Sequence, residues 1–269
     1  MQIYKKMNIG TAKPTQEEMQ NIPHHLIDFV EPDKEYNVSM YREDALSKIE
    51  EILAKGKTPI IVGGTGLYVD TLINGVEFAE IEKDNEYEKE LDTILKENEN
   101  GKDILFEMLQ KVDPESANKI EKNNTRRVIR ALEIYRVTGK TKSQIDKESI
   151  KDVPYDYHVF AINWDREKLY SRIDKRVDIM LEAGLLNEVK ELRSNYKISK
   201  TALQGLGYKE VIEFLDQKIS YDEMVEKIKQ ESRRYAKRQI TWFKHINNLI
   251  WLDGEHPEKM IEEVMNALK

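Results

Sequence analysis

Apolar side chains recur every three to four residues in several stretches of this chain, the spacing that places them on one face of a helix. One such stretch covers residues 40–55 and ends before the stop signal Gly56; its apolar positions are Ala45, Ile49, Ile52 and Leu53. Five more ranges follow the same pattern: 67–73, 105–112, 124–137, 166–192 with a break at Gly184, and 224–243. We therefore expect helices to predominate.

Two short runs are typical of strands instead. Residues 58–62 read Thr-Pro-Ile-Ile-Val, which predicts a buried strand because the run is short, β-branched and flanked by turn residues. Residues 157–162 also have strand character. The first run leads directly into the glycine turn, Gly63-Gly64-Thr65-Gly66, and then into a predicted helix. A strand, a turn and a helix in this order indicate an α/β unit.

The composition changes abruptly between residues 77 and 99, where ten acidic residues stand against three lysines. We interpret this change as the boundary of a helical insertion over residues 81–150. The remaining parts, residues 1–80 and 151–269, then form an α/β core domain with C-terminal helices. A chain of 269 residues has room for such a core and one insertion.

The overall composition excludes several classes of protein. With 43 Lys and Arg against 50 Asp and Glu, the net charge of −7 excludes a protein that binds nucleic acid through its total charge. No apolar run reaches the roughly 18 residues of a membrane span. The chain contains no cysteine, which excludes disulfides and thiolate chemistry and suits a reducing cytoplasm.

Two local basic segments stand out against this acidic background. Residues 119–130 carry five cations and one acid, and residues 227–245 carry seven cations and one acid, interleaved with aromatic side chains. Such segments are typical either of an RNA or polyphosphate surface or of solvated helix faces. Arg172 and Arg176 stand four residues apart and either clamp a diphosphate or pair with Asp174 and Asp178.

Other motifs are weaker. The glycine turn either brings backbone N–H groups and the Thr65 hydroxyl close to an anion or serves only a steric purpose. Gly139-Lys140-Thr141 looks like the end of a phosphate-binding loop, but Ile134 replaces the first glycine, so we predict a helix stop at Gly139. His24 and His25 are adjacent and lack a third ligand at suitable spacing, which argues against a histidine metal site.

Taken in order, several motifs resemble the tRNA dimethylallyltransferase family across essentially the whole chain. They are residues 7–14 (MNIGTAKP), 23–28 (PHHLID), 62–68 (VGGTGLY), 126–133 (RRVIRALE), 207–210 (GYKE) and 235–243 (YAKRQITWF). The resemblance implies a P-loop-NTPase-like parallel-sheet core with an all-helical insertion that binds the anticodon arm. It also implies transfer of a dimethylallyl group from dimethylallyl diphosphate to N6 of the adenosine 3′ of the tRNA anticodon, with Mg²⁺ assisting the leaving diphosphate.

The same resemblance implies roles for individual residues. Thr65 and Arg176 resemble the family's catalytic threonine and diphosphate-binding arginine, and the further diphosphate contacts are Gly63, Gly64 and Arg172. The residues expected to contact tRNA are Gln2, Arg126, Arg127, Arg130, Gln204, Gly207, Tyr208, Lys209, Lys237 and Arg238. Arg126 departs from the family, which often has Gln there. We expect a monomer with tRNA as its partner and no membrane attachment.

The resemblance is incomplete at the start of the chain. Family members carry, before the position of Met1, a first strand, a phosphate-binding loop and an Asp-Ser pair whose aspartate is the proposed general base. We therefore expect a core without its N-terminal strand and P-loop, and little or no transferase activity for the 269 residues. Two other functions remain open: a non-catalytic RNA-binding remnant, and a small-molecule kinase of related fold.

Overall fold

The computed structural model describes residues 1–77, 81 and 84–268. Contacts between Cα atoms divide the chain into two compact units. The first unit contains residues 1–69 and 155–269, and the second contains residues 70–154. The boundary expected at residue 80 lies outside the described residues.

Helices dominate the described part of the chain. They are α1 Val38–Ala54, α2 Gly66–Ile73, α3 Asn85–Glu97, α4 Gly101–Val112, α5 Pro114–Lys119, α6 Thr125–Thr138, α7 Lys142–Glu148, α8 Arg166–Glu182, α9 Leu185–Asn195, α10 Tyr208–Leu215, α11 Tyr221–Phe243 and α12 Pro257–Ala267. The strands are β1 Phe160–Asn163 and β2 Ile250–Asp253. No helix in these described ranges combines the length and apolar composition needed to cross a membrane.

The first unit combines a small parallel sheet with a helical core. β1 and β2 pair in parallel, in a register that sets Phe160 opposite Ile250 and Asn163 opposite Asp253. The main core joins α8, α9, α10 and α11 to the N-terminal segment, where Tyr4 and Met7 are almost fully buried. Since α8 directly follows β1, this is an α/β fold, and the predicted fold class is confirmed.

The second unit is a bundle of α3 to α7. Its core contains fully buried leucines from α3 and α4, among them Leu91, Leu105 and Leu109. Where the chain enters and leaves this unit, Val76 and Ile150 form an antiparallel bridge, and the N–H of Lys151 donates to the carbonyl of Gly75 over 3.0 Å. These bonds hold the first and last residues of the unit side by side, so the chain enters and leaves the unit at the same point.

Several predicted boundaries are confirmed by backbone geometry. Gly56, Gly139 and Gly184 have φ values of +66°, +68° and +101°, the left-handed region in which glycine ends helices without strain. The helices predicted at residues 105–112, 124–137 and 224–243 correspond to α4, α6 and α11, whose ends differ from the predicted ends by at most four residues. Local periodicity therefore located these elements well.

The buried strand predicted at residues 58–62 is wrong. These residues form no ladder with another described residue, and the side chains of Ile60 and Val62 are 83% and 90% exposed. A β-branched run becomes a buried strand only when neighbouring strands pair with its edges and helices or another sheet cover its faces. No described strand lies beside this run, so its composition alone did not place it in a sheet.

Candidate active site

The glycine turn, Gly63 to Gly66, leads into α2 in the first unit. The N–H groups of Gly63, Gly64 and Thr65 donate no hydrogen bond within the described part of the chain, and the exposed Thr65 hydroxyl makes none there either. The carbonyl of Gly64 accepts a 2.9 Å bond from Nε2 of Gln239. Free N–H groups beside a helix N-terminus are suited to an anion such as a diphosphate.

Helix α11 packs closely against this turn. A Cβ atom built on Gly66 would lie 2.4 Å from the Trp242 ring, and one built on Gly64 would lie 1.8 Å from the Gln239 amide. On α2, Tyr68 stacks on Tyr41 of α1, with ring centroids 4.2 Å apart. A larger residue at either position would force the Gln239 amide or the Trp242 ring to move, so close approach rather than backbone angle favours glycine here.

The cations of α11 fall into two groups. Those nearer its start are paired with carboxylates: Lys227 with Glu213, Lys229 with Asp178, Arg233 with Asp174, and Arg234 with Glu231. Lys237, Arg238 and Lys244 have no carboxylate partner among the described residues, and Arg238 lies over the Tyr235 ring at 5.8 Å. Lys237 and Arg238 therefore lie in the stretch of α11 that contacts the glycine turn, and Lys244 directly follows the helix.

Arg172 and Arg176 are exposed on α8 and have no carboxylate partner within the described ranges. The two acids that the sequence offered as alternative partners, Asp174 and Asp178, bind Arg233 and Lys229 of α11 instead. At about 100° per residue, the two arginines lie on the side of α8 opposite these two acids. The structure thus leaves both arginines available for an anion.

Sequence reasoning missed the aromatic partner of Arg172. The guanidinium carbon lies 4.2 Å from the centroid of the Trp164 ring, which follows β1 immediately. The sequence signal for this contact was the position of Trp164, between a predicted strand and Asp165. Asp165 caps α8 by accepting from the N–H groups of Glu167 and Lys168.

The residues predicted to contact tRNA between positions 204 and 209 differ in exposure. Gln204 and Lys209 are exposed, and Lys209 lies 3.8 Å from Glu213. Gly207 precedes α10 with φ +89°. Tyr208 is 2% exposed, and its hydroxyl donates a 2.7 Å bond to Glu188. Burial and the adjacent Glu188 carboxylate raise the pKa of Tyr208 well above its usual value, which keeps this hydroxyl a donor.

The loop of residues 8–12 is held from two sides. The Glu188 carboxylate accepts from the N–H groups of Asn8, Ile9 and Gly10 over 2.7–3.1 Å. Gln2, expected to contact tRNA, donates from Nε2 to the carbonyls of Thr11 and Ala12. Both side chains therefore order the loop, and Glu188 is a residue that sequence reasoning missed.

In the second unit, the basic segment 119–130 is less positive than its composition indicated. Lys119, Lys122 and Arg130 form ion pairs with Glu115, Asp103 and Glu133. Arg126 and Arg127 are exposed and have no such partner in the part of the chain that is described. Carboxylates from outside the segment therefore neutralise most of it, and two adjacent arginines at the start of α6 remain.

The expected magnesium ion finds no ready cage in these residues. Among residues 1–77, 81 and 84–268, no three acidic or histidine side chains are grouped so that they could hold a metal. A magnesium ion here would take most of its ligands from the diphosphate and water, with at most one or two carboxylates from the chain. Further positive charge for a diphosphate is available from arginine and lysine side chains.

A family model described as IPP transferase matches residues 2–246. The chain is 48% identical to the tRNA dimethylallyltransferase of Acetivibrio thermocellus, over 98% of this chain and 85% of that relative.

Solved structures give the same result. The full-length tRNA isopentenylpyrophosphate transferase from Bacillus halodurans is 39% identical with a TM-score of 0.70, over 99% of this chain and 84% of that one. The tRNA delta(2)-isopentenylpyrophosphate transferase from Staphylococcus epidermidis is 40% identical with a TM-score of 0.68. The match covers 100% of this chain and 88% of that one. A eukaryotic dimethylallyltransferase acting on tRNA is 33% identical with a TM-score of 0.74. The match covers 94% of this chain and 65% of that one. By the family match and by these identities, the chain belongs to the IPP transferase family.

Proposed function

We propose that this chain transfers a dimethylallyl group from dimethylallyl diphosphate to N6 of the adenosine just 3′ of a tRNA anticodon. Family membership supports the reaction class. The observation that carries the proposal is the hydrogen bond between Gln239 and Gly64, because it brings the stretch of α11 with unpaired cations onto a turn with free N–H groups. The same element can then meet both a diphosphate and an RNA backbone.

The chemistry requires little more than alignment and charge compensation. The N6 nitrogen attacks the allylic carbon while the bond from that carbon to the diphosphate oxygen breaks; the diphosphate keeps the electron pair and the amine proton passes to a base. Thr65 is proposed to donate to the oxygen that leaves, and Arg176 and Arg172 to neutralise the charge developing on the diphosphate. Gly63 and Gly64 would let the backbone approach the phosphates closely.

The tRNA contacts are proposed for each unit separately. In the first unit, Lys237, Arg238, Gln204 and Lys209 present exposed side chains for the RNA. In the second unit, the contacts are Arg126, Arg127 and the ion-paired Arg130. Gln2, Gly207 and Tyr208 are proposed to shape the RNA-facing backbone, because the polar atoms of Gln2 and Tyr208 are already bonded. We also propose that the chain acts as a monomer, and in the cytoplasm because its substrate is tRNA.

A single-turnover assay tests this function. The purified chain, in excess over an anticodon stem-loop RNA, is incubated with dimethylallyl diphosphate and Mg²⁺, and the digested RNA is analysed by mass spectrometry. We expect one dimethylallyl group on the adenosine and none on a control RNA with guanosine there, because guanine has an oxygen in place of the amine.

Two outcomes would overturn the proposal. RNA bound tightly but never modified, even with enzyme in excess, would leave an RNA-binding protein without transferase activity. Consumption of ATP with a small phosphate acceptor, combined with no salt-dependent shift of the stem-loop RNA, would indicate a kinase.

A further inference from the structure

The strongest unassigned arrangement is the contact between Trp164 and Arg172 at the carboxyl end of β1. The guanidinium carbon of Arg172 lies 4.2 Å from the centroid of the indole, inside the range of a cation–π contact. Trp164 belongs to the connection from β1 to α8, and Arg172 lies two turns into α8. Ligands of α/β proteins bind at the carboxyl ends of parallel strands, so this arginine is held at a suitable place.

The position of the indole is itself fixed by Gly254, which follows β2. A Cβ atom on Gly254 would lie 2.4 Å from both Cε2 and Nε1 of Trp164, so any larger residue would displace the ring. The N–H of Gly254 donates to the carbonyl of Asn163 over 2.9 Å, which continues the β1–β2 pairing by one step. The ring therefore rests against backbone that the sheet holds in place.

Arg172 keeps its hydrogen-bonding capacity in this arrangement. Its neighbours along α8, Asp174 and Asp178, bind cations of α11, and no carboxylate in the described ranges pairs with Arg172. A guanidinium stacked on an aromatic ring still presents its in-plane N–H groups, which suit the paired oxygens of a phosphate. The indole thus restricts the arginine without using its donors.

We propose that Trp164 is a positioning residue, which with Gly254 holds the Arg172 guanidinium where it receives the diphosphate of the prenyl donor. This inference rests on the proposed function, since it takes the diphosphate donor from it. Trp164 acts through Arg172 and does not touch the reacting atoms. The indole reduces the number of orientations that Arg172 must give up on binding, so its loss weakens diphosphate affinity specifically.

Binding of dimethylallyl diphosphate and of inorganic diphosphate, measured by calorimetry with Mg²⁺ present, tests the proposal. We expect Trp164→Leu to weaken both ligands about two- to tenfold, as loss of a cation–π contact predicts. Trp164→Phe should bind within about twofold of the parent chain, because phenylalanine keeps an aromatic face. Arg172→Lys keeps the charge but not the planar guanidinium, so it should weaken diphosphate binding about as much as Trp164→Leu does. This variant tests the proposal even if Trp164→Leu fails to fold.

A matched control lies on the same helix. Arg166 lies 5.3 Å from the ring centroid of Tyr170, so Tyr170→Leu removes an aromatic partner from a different arginine and should leave diphosphate affinity unchanged. In an Arg172→Ala background, Trp164→Leu should have no further effect. Affinity for the stem-loop RNA should be unchanged in every Trp164 variant.

The possible failures are distinct. A parent chain that binds neither diphosphate would overturn the proposed function and this inference together. Two other results would overturn the positioning role alone. In the first, the parent chain binds diphosphate and Trp164→Leu binds it equally well. In the second, Trp164→Leu weakens diphosphate binding by the same factor with and without Arg172.

Discussion

The side-chain amide of Gln239 donates a 2.9 Å hydrogen bond to the carbonyl of Gly64, a residue 175 positions away in the sequence. This bond fixes one carbonyl of the glycine turn while the neighbouring N–H groups stay free. A turn tied at its carbonyl keeps its N–H groups directed to one side, which is the arrangement that the proposed diphosphate site requires.

Gly64→Ala should therefore disturb the turn. The added methyl would lie 1.8 Å from Nε2 of Gln239, so the amide must swing away and the hydrogen bond is lost. We expect a loss of about 1 kcal/mol in unfolding free energy, the typical net worth of such a bond, and weaker donor binding. Urea unfolding and calorimetry with dimethylallyl diphosphate measure the two effects.

Gly63→Ala is the matched control, because a Cβ atom there meets nothing within 4 Å and the backbone angle suits alanine. It should change the free energy of unfolding little. In a Gln239→Ala background, Gly64→Ala should lose most of its effect. An equal cost in both backgrounds would show that the clash with Gln239 is not the cause.

Glu188→Gln should loosen the loop of residues 8–12. The carboxylate accepts three backbone N–H groups and the Tyr208 hydroxyl, and an amide offers a single, uncharged acceptor oxygen. We expect unfolding free energy to fall by about 2 kcal/mol. Hydrogen exchange should accelerate at the amides of residues 8–10. Glu191→Gln, also on α9 but exposed, should cost less than about 0.5 kcal/mol; equal losses would contradict the anchoring role.

The second unit should lose stability in acid through Asp113. Burial by itself raises the pKa of this carboxyl, but hydrogen bonds from Ser116 and Ser143 outweigh burial and hold the pKa below its usual value. The unfolded value is the higher of the two, so this stabilisation is complete above about pH 4 and disappears as pH falls through the lowered pKa. Asp113→Asn should cost about 2 kcal/mol in unfolding free energy at pH 7.

Urea unfolding of the parent chain and of the Asp113→Asn variant, between neutral pH and about pH 2, measures how this stabilisation depends on pH. The two stability curves should converge at the acid end, because a protonated carboxyl and an amide both lack the negative charge. Glu107→Gln, an exposed residue of α4, is the control and should follow the parent curve at every pH. A constant gap between the Asp113 variant and the parent would contradict the assignment.

RNA binding should depend on Arg126 and Arg127 more than on the rest of their segment. Both are unpaired among the described residues, whereas Lys119 and Lys122 already bind Glu115 and Asp103. Changing both arginines to Ala should weaken stem-loop binding and reduce the slope of log affinity against log salt by about 1.5, that is 0.7–0.9 for each lost phosphate contact. The Lys119→Ala, Lys122→Ala double variant removes equal charge and should change both quantities much less.

The comparison with Arg130 is sharper still. From sequence, Arg130 was expected to contact RNA as Arg126 and Arg127 do, but its guanidinium lies 3.2 Å from the carboxylate of the nearly buried Glu133. Arg130→Ala leaves that carboxylate without its partner and should lower stability as well as affinity. Unchanged affinity in the Arg126, Arg127 double variant at every salt concentration would remove this part of α6 from the RNA interface.

Elements with strong local signals could be read directly from the sequence. The apolar repeat of α1 and the stop signals at Gly139 and Gly184 follow from helix geometry and from glycine's freedom at positive φ, which need no distant partner. The run at residues 58–62 failed for the opposite reason. Its β-branched composition permits a strand, but pairing and burial depend on neighbours that composition does not reveal.

By itself the sequence determined the family, the positions of most helices and the two arginines four residues apart on α8, because ordered motifs and helical spacing are local properties. Only the tertiary structure decided which cations are free. Helical spacing turns Asp174 and Asp178 away from Arg172 and Arg176, but only the packing of α8 on α11 assigned these two acids to Arg233 and Lys229. Ion pairs and close contacts such as Trp164 with Gly254 join residues distant in the chain, so the folded packing alone selects them.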